Sequence, residues 1–339
     1  MSMERSTPIL LTILLFLITT FACSIGLPSP PTPGPFPVEG VRQKTSDYAF
    51  YQNLMWSPTG KYIAATRCPV MKYQPVCYEH EEAILIDSDT GYILTIDLQS
   101  ITSNRITGYP LIWSPDGARL LLLVEERIPE EGSSLSHPYY HKMAYTLTSH
   151  TLTNVEITGG VIAWNKDDTS ILMIHNIKDD MFALGWFSLD SSEFQQEIPF
   201  TNEDRMYWPY ALSPDERTLL RSDSPFTTSC VNIESYTIGS HKPFSPFLSL
   251  ACFPAWSPDG SKLAYTSKAS AGDLPNRLII SNADGSDPVS LFPQTTPHEL
   301  AYPTWSPDGR YIAFTFGAVS GANAIYIVDV PEHLQPSSE

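Results

Sequence analysis

The chain has 339 residues, a formal net charge of −17, and a composition that is 42% hydrophobic and 12% aromatic. Affinity for phosphate backbones rests on clustered Lys and Arg, so 20 basic against 37 acidic residues argue against a nucleic-acid surface. With 30 prolines, 18 glycines and no long stretch of 3.6-residue apolar period, the chain reads as turns and strands rather than helices.

Residues 1–23 read as a targeting segment. Arg5 gives a weakly basic start, Ile9 to Ala22 form an apolar run, and small Ala22 precedes Cys23. The run is shorter than the roughly 20 apolar residues that span a bilayer, which fits a secretory segment better than a permanent anchor. Thr20-Phe21-Ala22-Cys23 resembles the lipobox of bacterial lipoproteins, and the resemblance implies that Cys23 is acylated and becomes the mature N-terminus. The alternatives are an ordinary signal peptide or an uncleaved anchor. Residues 24–40 carry Pro28, Pro30, Pro31, Pro33, Pro35 and Pro37 and no periodic apolar pattern. They predict an extended polyproline stalk which, at about 3.1 Å per residue, would reach about 50 Å. Together these segments predict an exported protein, lipid-anchored at the outer face of the cell membrane or in the periplasm.

Residues 41–330 are organised by one repeat. Trp113-Ser114-Pro115-Asp116-Gly117 recurs as Trp256-Ser257-Pro258-Asp259-Gly260 and Trp305-Ser306-Pro307-Asp308-Gly309. Trp56-Ser57-Pro58-Thr59-Gly60 is a near copy, and Trp164-Asn165-Lys166-Asp167-Asp168 and Leu212-Ser213-Pro214-Asp215-Glu216 are degenerate ones. Successive copies start 57, 51, 48, 44 and 49 residues apart, the length that four short strands and their turns consume. Pro presets φ, Asp bonds nearby N–H groups and Gly supplies a positive φ, so each copy is a hairpin turn. Apolar runs such as Leu120-Leu121-Leu122-Leu123 and Tyr311-Ile312-Ala313-Phe314 follow it. Third strands are expected at positions such as Ile84-Leu85-Ile86 and Ile325-Tyr326-Ile327, and a fourth at Val289-Ser290-Leu291.

These repeats resemble the WD40-like units of the TolB-type six-bladed propellers, which also occur beside the peptidase domain of prolyl oligopeptidases. The resemblance implies an all-β fold, a six-bladed β-propeller of four-stranded antiparallel blades. It does not imply a function, because the motif residues build turns and pack between blades. Two departures stand out: no α/β domain lies between the stalk and the first blade, and no hydrolase domain follows the sixth. The last repeat lacks a fourth strand before the tail at 331–339. The spare segment Val38 to Ser46 is therefore expected to close the ring against Ala324 to Val330 and cover its edge.

Catalytic signatures are sparse. The sequence has no GxSxG elbow, no HExxH and no phosphate loop, so no catalytic residue, metal or cofactor is expected. His137 and His141 read as a solvated loop, and acidic pairs such as Asp167-Asp168 read as turns. Four cysteines remain beyond Cys23, and in an exported chain the economical pairing is local: Cys68 with Cys77 and Cys230 with Cys252, the second pair bracketing an outer hairpin. The segments Arg67 to His80 and Glu125 to Lys142 are the longest of those joining second to third strands, which gather on one face. They hold Met71, Tyr73, Tyr78, Tyr139 and Tyr140 among Glu125, Glu126, Glu130 and Glu131. Tyr73, Tyr139 and Tyr140 are the expected anchors of a recognition surface, the glutamates favouring a basic or hydroxyl-rich partner. The leading expectation is a monomeric, non-catalytic scaffold for a protein, peptide or glycan. Its rival is a propeller lyase or glycoside hydrolase with carboxylates in the central channel.

Overall fold

Five repeats share one turn chemistry. In each, a buried serine hydroxyl accepts the N–H five residues on, from Tyr62 to Ser57 (3.0 Å), Arg119 to Ser114, Thr218 to Ser213, Lys262 to Ser257 and Tyr311 to Ser306 (2.9 Å each). Where Asp follows two residues later, the same hydroxyl donates to its carboxylate at 2.5–2.7 Å. Asn165 takes the serine's place in the degenerate third repeat, its Oδ1 accepting from Thr169 and Ser170 N–H at 2.9 and 2.8 Å. The glycine position needs a left-handed backbone, φ +68° at Gly117; Asp168 and Glu216 occupy it in the third and fourth repeats at +60° and +61°. Both side chains are used. Asp168 pairs with Arg119 of the preceding turn at 2.6 Å, and Glu216 accepts Lys166 N–H at 2.6 Å, so each tethers neighbouring turns.

The turn carboxylates carry a pH dependence. Bonds from the Ser114 hydroxyl and Ala118 N–H hold the Asp116 carboxyl below its usual range, and Ser213 does the same for Asp215. A folded-state value depressed below the unfolded one, about 3.9, contributes stability above the unfolded value, and that stability is lost as pH falls through the folded one. Asp116→Asn should therefore lower the urea midpoint at pH 7 and flatten its fall from pH 5 down to pH 2, the two proteins converging at the acid end.

The structure, a computed structural model, describes residues 40–47, 49–69, 81–130, 136–178, 181–201, 210–223, 232–270, 273, 275–292, 298–317 and 322–336. Cys23, Cys77, Cys230, Tyr73, Glu131 and the stalk up to residue 39 fall outside them. The described residues form antiparallel sheets only. Four are four-stranded, and each takes its strands in sequence order. The first holds β6 (Arg105–Trp113), β7 (Arg119–Pro129), β8 (Ser136–Thr146) and β9 (Thr151–Val155). The next holds β10 (Gly160–Trp164), β11 (Ser170–Lys178), β12 (Met181–Ser188) and β13 (Phe194–Thr201). The third holds β14 (Tyr210–Leu212), β15 (Thr218–Ser222), β16 (Asn232–Thr237) and β17 (Ser245–Ser249). The fourth holds β18 (Ala251–Trp256), β19 (Lys262–Ser267), β20 (Arg277–Asn282) and β21 (Val289–Ser290). The first strands touch in succession, ring-fashion, and that of the last repeat, β22 (Glu299–Trp305), touches that of the first repeat, β2 (Ala49–Trp56).

The expected six separate sheets are corrected here. The last repeat, β22, β23 (Tyr311–Gly317) and β24 (Asn323–Asp329), continues into the first, β2, β3 (Tyr62–Pro69), β4 (Glu82–Asp87) and β5 (Ile93–Thr95). With β1 (Val41–Gln43) on β24 they form one eight-stranded sheet. The cause is Asn323. Its backbone pairs with Ala49, and its amide side chain acts as a further peptide unit, accepting Tyr51 N–H at 2.6 Å and donating to Tyr51 O at 3.0 Å. β1 lies on the outer edge of β24, Val41 opposite Val328, and Lys44 N–H and Thr45 Oγ extend the ladder to Ile325.

Between sheets the core is layered. Leu120, Leu122 and Val124 pack with Ala64, Ala83 and Leu85, while Leu121 packs with Ile171 and Met173. The motif tryptophans lock the layers. Trp113, Trp256 and Trp305 donate through Nε1 to the carbonyls of Met55, Ala211 and Ala255, each just before the preceding motif, at 3.1–3.3 Å. Trp56 breaks the pattern at the seam, donating to Gly60 O of its own turn at 2.9 Å.

Candidate functional site

Two features stand out, a central channel and a groove on the face opposite the motif turns. The channel is a cavity of about 250 Å³ to which the first strand of every repeat contributes. Its lining is Asn53–Met55 of β2, Pro110 and Leu111 of β6, Val161 and Ile162 of β10, Tyr210 and Ala211 of β14, Phe253–Ala255 of β18 and Tyr302–Thr304 of β22. Five of those strands slip register there, so one extra residue bends the chain inward. Asn53, Phe253 and Tyr302 take left-handed φ of +56°, +55° and +53° at these slips, a strained choice for aromatic residues. Phe253 N–H is held by the Ser222 hydroxyl at 3.0 Å, and the Phe253 and Tyr302 rings pack 4.7 Å apart. Burial pushes the Tyr302 and Tyr210 phenols far up, and Tyr210 Oη has no partner among the described residues. Among the described residues the lining contains no Asp, Glu or His. It can seat an apolar group and offer it a phenol or an amide. Sequence reasoning missed this ring, although an aromatic-proline step ahead of the motif, Tyr109-Pro110, Phe253-Pro254 and Tyr302-Pro303, marks three of its walls.

The segment Glu125 to Lys142, expected as a loop, is mostly strand. β7 and β8 pair without interruption from Arg119 opposite Thr146 to Pro129 opposite Ser136, each 11 residues long, where β3 has 8 and β4 has 6. Eleven aligned pairs outweigh the prolines, which sit toward the exposed tip. His137 and His141 therefore lie on β8.

Strand geometry corrects the expected cluster of anchors. Tyr139 pairs with Glu126 and Tyr140 with Glu125, and neighbouring residues of a strand point to opposite faces. Tyr139 lies on the side that carries Leu122 and Val124 toward the first repeat, tilted against His141 at 5.4 Å. Glu126 on that side is committed, accepting from Thr102 and Asn104 at 2.6 and 2.7 Å, which holds its carboxyl below the usual range. Tyr140 lies on the opposite side with Glu125, whose charge and hydrogen bond, after burial, push the phenol up. Glu125 is paired with Arg127 at 2.7 Å, and Glu130, at the tip, lies 3.5 Å from His137.

Tyr140 shares its side of the ribbon with Leu121, and that side faces the third repeat. From there Ile177 and Met181, at the tip of the β11–β12 hairpin, share the side of Met173, which faces back. Ile177 and Met181 are 44% and 46% exposed, and Tyr140 is 55% exposed. The space between these hairpins is a groove with apolar rims. At the base, the buried Lys142 ammonium donates to Ile157 O at 3.0 Å, and desolvation lowers its pKa. Nearby Glu81 is buried, its Oε2 without a partner among the described residues and its carboxyl pushed up by desolvation. The Tyr109 phenol is pushed up to about 12 by burial and by Glu81.

Cys68 is the penultimate residue of β3 and is 4% exposed, while Cys252 is fully buried in β18. Cys252 does not close the outer hairpin of the fourth repeat, as expected, but begins the fifth. Among the described residues no helix is long and apolar enough to cross a membrane, and no cluster of three or more His, Cys, Asp or Glu could hold a metal.

No protein-family profile matches the chain, and no curated protein matches it in sequence. Solved structures do. A putative TolB from Agrobacterium tumefaciens is 19% identical, with a TM-score of 0.50 over 86% of this chain and 94% of that one. An oligogalacturonate lyase from Vibrio parahaemolyticus is 13% identical, with a TM-score of 0.50 over 87% of this chain and 94% of its own. TolB from Acinetobacter baumannii is 14% identical with a TM-score of 0.48, and this chain spans 66% of its length. At such identities the likeness is one of fold, and what this chain shares with the first two is the propeller-like ring of antiparallel sheets.

Proposed function

We propose that this protein is a membrane-tethered, extracytoplasmic propeller that acts as a non-catalytic scaffold for a protein, peptide or glycan, seated on the face opposite the motif turns. One observation carries the reading. Among the described residues eight large hydrophobic side chains are exposed, and five of them sit on two neighbouring hairpins of that face: Tyr140, Ile177 and Met181 on the sides turned toward one another, Ile128 and Tyr139 on the other side of their ribbon. Exposed apolar side chains gathered in a polar surround mark recognition sites. The rival is a lyase or hydrolase using channel carboxylates, of which the described lining residues include none. Counting the eight-stranded sheet as two blades joined through Asn323 gives six, supported by the closed succession of first strands. The test is capture from the native envelope by the full-length chain. Tyr140→Ala with Met181→Ala should reduce capture of the retained partner about tenfold or more with an unchanged melting temperature, and equal capture would defeat the proposal.

The tether is part of the same reading, with Cys23 acylated and the chain monomeric. Cys23→Ser should move the protein from the membrane fraction to the soluble extracytoplasmic fraction; unaltered fractionation would mean an uncleaved helix instead. Cys68 with Cys77 and Cys230 with Cys252 are proposed as disulfides, supported by the burial of both described members. The second would tie the fourth repeat to the fifth.

A further inference from the structure

The seam between the last and first repeats holds a cleft of about 490 Å³ on the face of the motif turns, away from the hairpin groove. Its floor is aromatic. Trp56, turned onto its own Gly60 rather than locked to the neighbouring strand, lies nearly parallel to Tyr311, 19° and 6.5 Å apart, and both line the cleft. Its cations come from the closing segment, where Arg42 of β1 and Lys44, one residue past it, both line the cleft. Arg42 lies over the Tyr311 ring at 5.2 Å and pairs with Asp329 at 2.9 Å; Lys44 donates to Asp89 O at 3.0 Å. Burial first, then the Arg42 charge, lowers the Lys44 pKa, so an anion placed between the two would relieve their repulsion. The rim also carries Asp89 and Asp308. Those carboxylates oppose a bare phosphate but accept protons from hydroxyl groups.

An aromatic floor, two cations and hydroxyl-accepting carboxylates fit one ligand class. We propose that this seam cleft binds an acidic sugar, its ring against Trp56, its carboxylate at Arg42 and Lys44, and its hydroxyls at Asp89 and Asp308. The site is independent of the hairpin groove and stands whether or not a partner docks there.

The test uses the folded chain with indole nitrogens labelled, the Trp56 signal being identified by its loss in Trp56→Phe. Methyl glucuronide should shift the Trp56 indole resonance saturably. Methyl glucoside should bind about tenfold more weakly, and so should methyl glucuronide to Lys44→Gln, about 1.4 kcal/mol in each case. Tyr140→Ala should leave the titration unchanged, which separates this site from the groove. The proposal is overturned if methyl glucuronide leaves the resonance unmoved, if Lys44→Gln binds as wild type does, or if methyl glucoside matches the glucuronide. It is overturned too if inorganic phosphate matches the glucuronide, which would make the cleft a simple anion site.

Discussion

A chain that begins at Asp47 should lose cooperativity and on the order of 4 kcal/mol of stability. Removal of β1 abolishes three paired positions with β24, the Lys44 N–H bond to Ile325 and the Thr45 hydroxyl that accepts Ile325 N–H. At about 1 kcal/mol per lost bond the sum is several kcal/mol, and an unpaired edge is left beside the buried Ile325 and Ile327. Asn323→Ala tests the other side of the same seam. It leaves Tyr51 N–H and C=O without their partners in a buried place, at about 1–3 kcal/mol. Calorimetry should show a lower and broader transition for the truncation and a lower but sharp one for Asn323→Ala. An unchanged transition for both would mean that the ring is held elsewhere.

Trp305→Ala should cost about 3–5 kcal/mol, the range for deleting a large buried aromatic. Trp305 is 5% exposed, packs with Leu300, Ile312 and Phe314, and carries the Nε1 bond to Ala255 O that joins the fifth repeat to the last. Trp56→Ala is the contrast. Its indole bonds only within its own turn, so the same deletion there should cost clearly less. Urea unfolding of the two variants measures the difference; equal losses would show that the motif tryptophans act by bulk alone.

The repeat was legible because its turn is local chemistry. Pro, Asp and Gly in fixed order specify a hairpin whatever surrounds it, and the serine that completes the turn bonds only five residues away. The closing strand was legible from a deficit, a repeat with three strands beside a spare segment. The sheet count was not, because it depends on Asn323 imitating a peptide unit across the seam, which no spacing reveals. The groove was half legible. The length of Glu125 to Lys142 marked it, but its prolines and charges suggested a loop, and only the register of 11 pairs shows that Tyr139 and Tyr140 point apart. Ile177 and Met181 were missed because their hairpin is of ordinary length; what exposes them is the packing of Met173 and Leu121 between two repeats. Cys252 was assigned to the wrong element for a related reason: the connection from β17 to β18 is a single residue, Leu250, so one repeat ends almost where the next begins.

The most direct measurement of the central claim is site-specific photo-crosslinking of the tethered protein in its native envelope. A photoreactive residue replaces Tyr140 or Ile177 in the groove, Leu111 in the channel, or Pro58 on the turn face. The account predicts one shared adduct from positions 140 and 177 and none from 111 or 58. An adduct confined to position 58 or 111, or none at 140 and 177, would contradict it.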